Sequence, residues 1–173
     1  FLGVDARGKH VATLRGRTDP TYFAMEACRV ALEYNRCLMM IESNGMGESA
    51  VQAAVRVVGY SNVWRPRGKP GMDGRRTVLE PFGVWMTDVL KENLQARTMR
   101  LIYEGALDTR SVSLITALMG HDPQSNQHTP DEISALYLAV MGLEEPQVMR
   151  SMPGLRDDQR QLAEAQPFGG YWR

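Results

Sequence analysis

Residues 38–47 read Leu38-Met39-Met40-Ile41-Glu42-Ser43-Asn44-Gly45-Met46-Gly47, an apolar run that ends in a carboxylate and breaks at once into glycine. The run predicts a short buried strand over Cys37 to Glu42. The glycines turn the backbone away, and Glu48 to Val58 reads as a helix, so Glu42 is expected in the crevice at the strand's carboxyl end, where open α/β sheets place their ligands. A carboxylate there is costly unless it is paired, hydrogen-bonded or bound to a metal ion. Arg36 is the structural alternative, as an ion-pair partner.

Working outward, the chain alternates strands and helices. Phe1 to Val4 and His10 to Arg15 flank Asp5-Ala6-Arg7-Gly8-Lys9 and predict a β-hairpin. Asp19-Pro20 opens a helix to about Tyr34, with Phe23, Ala27, Val30 and Ala31 on one face. A strand around Asn62 to Trp64 follows, then a glycine-rich basic loop, a helix from about Phe82 to Leu94 and a strand at Met99 to Tyr103. Helices at about Asp108 to Met119 and Pro130 to Met141 complete the body. The order predicts an α/β fold, a mixed sheet with helices on its faces. Residues 1–142 form one expected domain, and 143–173, with Pro146, Pro153, Pro167 and Gly169-Gly170, an expected tail.

The composition suits a folded domain: 173 residues, 43% hydrophobic, with a formal charge of zero. Neutrality argues against a wholly basic nucleic-acid binder but leaves room for a local basic patch. Neither a membrane-length apolar run nor a signal-peptide pattern is present, so a soluble intracellular protein is expected. Cys28 and Cys37 lack a CxxC or Cys/His setting and read as buried free thiols.

A second acid stands at Thr129-Pro130-Asp131-Glu132, ahead of the apolar helix. Threonine as N-cap, proline at the first helical position and glutamate three residues after the cap form a capping box, which accounts for Glu132 without chemistry. Asp131 at a helix start is also placed to reach a metal ion.

Three pieces of the chain, LEYNRCLMMIESNGMGESAVQAAVRVVGYSNVWRP, GRRTVLEPFGVWMTDVLKENL and HTPDEISALYLAVMG, resemble in order the C-terminal nuclease domain of the large terminase subunit of tailed bacteriophages. The likeness spans roughly residues 9 to 142. It lies in a tyrosine-asparagine helix end, a Glu-x-Asn-x-x-Gly strand end, a Gly-Tyr-x-Asn strand entry, a threonine before a long helix and an acidic late helix start. The resemblance implies an RNase H-like mixed β-sheet with helices on both faces. It also implies a Mg²⁺- or Mn²⁺-dependent endonuclease, with a two-metal site, that cuts concatemeric double-stranded DNA during packaging in the cytoplasm of the infected bacterial host.

By the same resemblance Glu42 and Asp131 are catalytic metal ligands, with Asn44, His128 and Glu132 as auxiliaries. Asp5 stands either as the first catalytic acid on a strand or as a turn residue of the hairpin. Hard divalent cations take oxygen ligands, and two of them roughly 3.5–4 Å apart can activate a water and stabilise the leaving oxygen of a phosphodiester.

Arg65, Arg67, Lys69, Arg75 and Arg76 put five cations on a glycine-rich loop suited to DNA phosphates, or on a merely solvated one. No GxxxxGK[ST] phosphate loop occurs, so the resemblance assigns the packaging ATPase to a domain upstream on the same polypeptide or places this domain apart from it. It further implies contacts with the portal protein and the small terminase subunit. Two other functions compete: an RNase H-like junction resolvase or transposase-type nuclease, and an interaction domain that keeps the fold without activity.

Overall fold

The computed structural model describes residues 1–5, 7–66, 81–122 and 129–143. They fall into two units: Phe1–Arg15 with residues 86–143, and Gly16–Trp85. Helices and a two-stranded antiparallel sheet are both present, in keeping with a mixed α and β composition. The larger mixed sheet expected from the sequence is not formed among the described residues, where parallel pairing occurs only as isolated bridges. None of the described helices is long and apolar enough to cross a membrane.

The first unit begins with the expected hairpin. Strand β1 (Leu2–Val4) pairs antiparallel with β2 (His10–Thr13), with a bulge where Gly3 faces Ala12 and Val4 faces His10. Beyond the turn, Lys9 bridges Asp108 in parallel: the Asp108 N–H donates to Gly8 C=O at 3.0 Å and the His10 N–H to Asp108 C=O at 2.8 Å. The His10 ring adds a 2.8 Å contact from Nδ1 to Thr109 Oγ1. In this unit α3 (Asp88–Tyr103), α4 (Val112–Gly120) and α5 (Asp131–Leu143) supply the core. Leu94, Ile133 and Tyr137 form one cluster; Leu114, Leu136 and Val140 form another, with Leu2 and Leu101 against it. Complete burial of a side chain such as Ile133 contributes about 1.5–3 kcal/mol.

Two expectations fail in α3. The helix predicted from Phe82 begins instead at Asp88, capped by Thr87, whose Oγ1 accepts the Leu90 N–H at 3.2 Å. Gly83, at φ +94°, breaks any earlier helical start. The strand predicted at Met99 to Tyr103 is the last part of the same helix. Leu94 and Leu101 recur at helical spacing toward the core, and burial of that stripe outweighs the β-favouring Ile102 and Tyr103.

The second unit holds α1 (Pro20–Glu33), capped by Asp19, whose carboxylate accepts the Thr21 N–H at 2.8 Å. Ala24, Ala27, Cys28 and Ala31 line its buried face. Asn35 and Arg36, both at positive φ, then reverse the chain into residues 37–43. Helix α2 (Gly47–Gln52) continues as a π-helix, Ala53–Val57, over the region predicted to be helical.

Residues 37–43 are extended but pair only through bridges. Met39 bridges Val63, and Glu42 bridges Val84, both in parallel. Met39 C=O accepts the Trp64 N–H at 2.9 Å, Ile41 C=O accepts the Val84 N–H at 2.7 Å, and the Ser43 N–H donates to Val84 C=O at 2.9 Å. Backbone groups of alternate residues point to one edge of an extended chain. Residues 62–64 and 83–84 therefore lie end to end along the same edge of 39–43, joined where the Gly83 N–H donates to Trp64 C=O at 2.8 Å.

Candidate functional site

Glu42 lies in the extended segment 37–43, where its parallel bridge to Val84 fixes its backbone. It is half-buried. Among the described residues its carboxylate makes neither a hydrogen bond nor an ion pair, so the pairing with Arg36 is not formed. The glycines around it have steric reasons. A Cβ on Gly47 would run into the Glu42 carbonyl, and one on Gly83 would lie 2.9 Å from the Val51 side chain and 3.0 Å from Ser43 Cβ. Asn44 helps to close the turn, its carbonyl accepting the Gly47 N–H at 2.9 Å.

Asp131 occupies the first turn of α5 and is exposed. Burial lowers the pKa of the Phe1 amino group, and the Asp131 carboxylate acts against that, which places the acid near the start of β1. Glu132, beside it, expected as part of a capping box, has tertiary partners for its carboxylate. Its Oε1 accepts from Ser113 Oγ at 2.6 Å and from Arg15 Nη1 at 2.9 Å, tying the head of α5 to α4 and to the residues following β2. Thr129, just ahead of α5, is buried.

Asp5 takes the turn alternative. Its Oδ1 accepts the Arg7 N–H at 2.8 Å and the Lys9 N–H at 3.0 Å, and its backbone N–H donates to Lys9 C=O at 2.9 Å. The Lys9 and Arg7 N–H groups hold its carboxyl below the usual carboxylate range. Asp5 is committed to the turn that follows β1, whereas Asp131 belongs to α5 and acts on the amino group of Phe1 at the other end of the strand. Among the described residues no group of three or more His, Cys, Asp and Glu side chains is placed to hold a metal ion.

Of the expected DNA contacts, Arg65 lies with its guanidinium 5.2 Å from the Phe82 ring centroid. Arg67, Lys69, Arg75, Arg76, His128 and the tail beyond Leu143 lie outside the described residues. Arg15 and Ser113 carry no local motif, and only the tertiary fold reveals them as partners of Glu132.

In comparisons with known proteins, no family model, no curated protein and no solved structure matches the chain.

Proposed function

We propose that this chain is an RNase H-like, divalent-metal-dependent endonuclease domain of the kind found in large terminase subunits, acting on concatemeric double-stranded DNA in the cytoplasm of an infected bacterium. The observation that carries the proposal is the Glu42 carboxylate, half-buried beyond a parallel pair of extended segments and without a partner among the described residues. The ordered resemblance to terminase nucleases supports it. Double-stranded DNA is the substrate; the portal protein, the small terminase subunit and an ATPase domain of the same polypeptide are its partners.

The donor chemistry of Glu42 and Asp131 fits Mg²⁺ or Mn²⁺, which take one or two carboxylates and retain several waters. When bound, such a cation supplies Lewis-acid stabilisation of the phosphate and a nucleophilic water at neutral pH. The chain's own part is positional. The bridge to Val84 fixes the Glu42 backbone, and the Ser113 and Arg15 contacts of Glu132 hold the helix start that carries Asp131. Arg65, Arg67, Lys69, Arg75 and Arg76 supply cations for DNA phosphates.

Nicking of supercoiled plasmid tests the proposal. Cleavage should require Mg²⁺ or Mn²⁺, stop with EDTA, and be lost in Glu42→Gln and in Asp131→Asn, each a near-isosteric removal of a negative ligand. Full activity in either folded variant removes that residue from the site. The inactive interaction domain is the second reading, favoured by the commitment of Asp5 to the hairpin turn; metal-dependent cleavage excludes it.

A further inference from the structure

The closure between Trp64 and Gly83 gathers recognition chemistry at the base of the basic loop. The Arg65 guanidinium lies over the Phe82 ring, 5.2 Å from its centroid. Trp85 is 65% exposed, while its neighbour Val84 is only 1% exposed. The exposed Trp85 indole stands three residues along the chain from Phe82. From Gly83 to Trp85 is at most about 7 Å of chain.

We propose that Trp85 and the Arg65–Phe82 pair form a contact for single-stranded nucleic acid. A base stacks on the Trp85 indole, and a neighbouring phosphate is held by the Arg65 guanidinium. An indole face accepts any base. A guanidinium held against an aromatic ring keeps its N–H edge available for paired hydrogen bonds to phosphate oxygens. That alternation of π face and cation complements a nucleic-acid strand, with its alternating bases and negative charges; an apolar protein surface would leave the cation unmatched. Within a duplex the base faces are already stacked, so an unpaired strand is the fitting ligand. The biological setting of this contact rests on the nuclease proposal, but the binding itself needs neither Glu42 nor a cation.

Tryptophan fluorescence of the full chain, titrated in EDTA with oligothymidylate and separately with a closed hairpin duplex, tests it. Oligothymidylate should quench the emission of the wild type. Trp85→Ala should weaken binding on the order of tenfold, whereas Trp85→Phe should keep most of the affinity and lose most of the quench. Arg65→Ala should reduce the salt slope by about 0.7, the value for one phosphate of a single strand. Because Trp85 is exposed, these variants should retain the wild-type circular dichroism spectrum.

Wild-type affinity in Trp85→Ala, or equal quenching by the closed duplex, overturns the proposal. So does the absence of any quench, which assigns the exposed indole to a protein partner. Absence of oligothymidylate binding by the wild type, with metal-dependent cleavage present, defeats this contact alone; the reverse result in the wild type defeats the nuclease proposal alone.

Discussion

The Gly83 N–H donates to the carbonyl of Trp64 at 2.8 Å, closing the chain on itself at the two ends of the basic loop. The bond holds the two ends of the basic stretch side by side along one extended edge. The base of the loop is therefore paired directly with the segment that carries Glu42. Changes within the loop and changes at its base should consequently act differently: the first on DNA affinity, the second on the backbone that sets Glu42.

Gly83→Ala tests the base. At φ +94° an L side chain is strained, and the new Cβ would press on Val51, Ser43 and the Ile41 carbonyl. We expect a loss of about 1–3 kcal/mol in urea-denaturation stability. Gly45→Ala, at φ +53° but with open space around it, should cost less. Equal costs at the two positions would show that the contacts around Gly83 do not matter.

Glu132 should behave as a structural tie. Its side chain is 16% exposed against 73% for Arg15, so the ion pair contributes about 0–1 kcal/mol, while the shorter bond from the exposed Ser113 hydroxyl contributes about 0.5–1.5 kcal/mol. A double-mutant cycle with Ser113→Ala and Glu132→Ala should show the larger coupling, and one with Arg15→Ala the smaller. Thermal denaturation of the single and double variants measures both.

Local signals made parts of this architecture readable. Asp19-Pro20 announces α1 because a capping carboxylate and a proline suit the first helical turn, and Pro130 marks the start of α5. Met99-Arg100-Leu101-Ile102-Tyr103 misleads because a short apolar run has no period of its own, and the helix is visible only when Leu94 and Leu101 are seen to share a face. The end-to-end placement of 62–64 and 83–84 depends on backbone bonds across a long stretch of sequence, which no residue pattern encodes. Glu42 stands out in the sequence as an acid followed by glycines, and one of them, Gly47, is what the close approach to the Glu42 carbonyl requires. The partners of Glu132 are far away in sequence, and nothing near Arg15 or Ser113 points to them.

Asp5 makes stability depend on pH at the acid end. Backbone N–H groups of Lys9 and Arg7 lower its folded pKa, so the unfolded chain binds its proton first as pH falls. Its contribution is present above the ordinary carboxylate range and is lost as pH drops through the lowered folded value. Asp5→Asn can preserve the turn by accepting the same N–H groups and should flatten this acid-side dependence in denaturant titrations. Plasmid nicking at neutral pH should be unchanged in Asp5→Asn; loss of nicking with the fold intact would return Asp5 to the catalytic set.

Cys28 governs the opposite end of the pH range. Burial pushes its thiol up from the ordinary value of 9.0 to about 12, and the nearby Cys37 adds to the shift. Its Sγ lies 3.8 Å from the Met39 sulfur, and Cys28 is fully buried. Below the unfolded pKa both states hold the proton, and its stabilising contribution is complete. Between pH 9 and about 12 only the unfolded chain releases it, so stability should fall with a limiting slope of about 1.4 kcal/mol per pH unit for this group. Cys37 and Tyr60, also raised by burial, add to the decline. Cys28→Ala should lose stability at neutral pH through the cavity it leaves, yet show a shallower alkaline slope. In the native protein at pH 8, Cys28 should resist a thiol-specific disulfide reagent until denaturant is added; rapid native labelling would mean that the thiol is not held in the core.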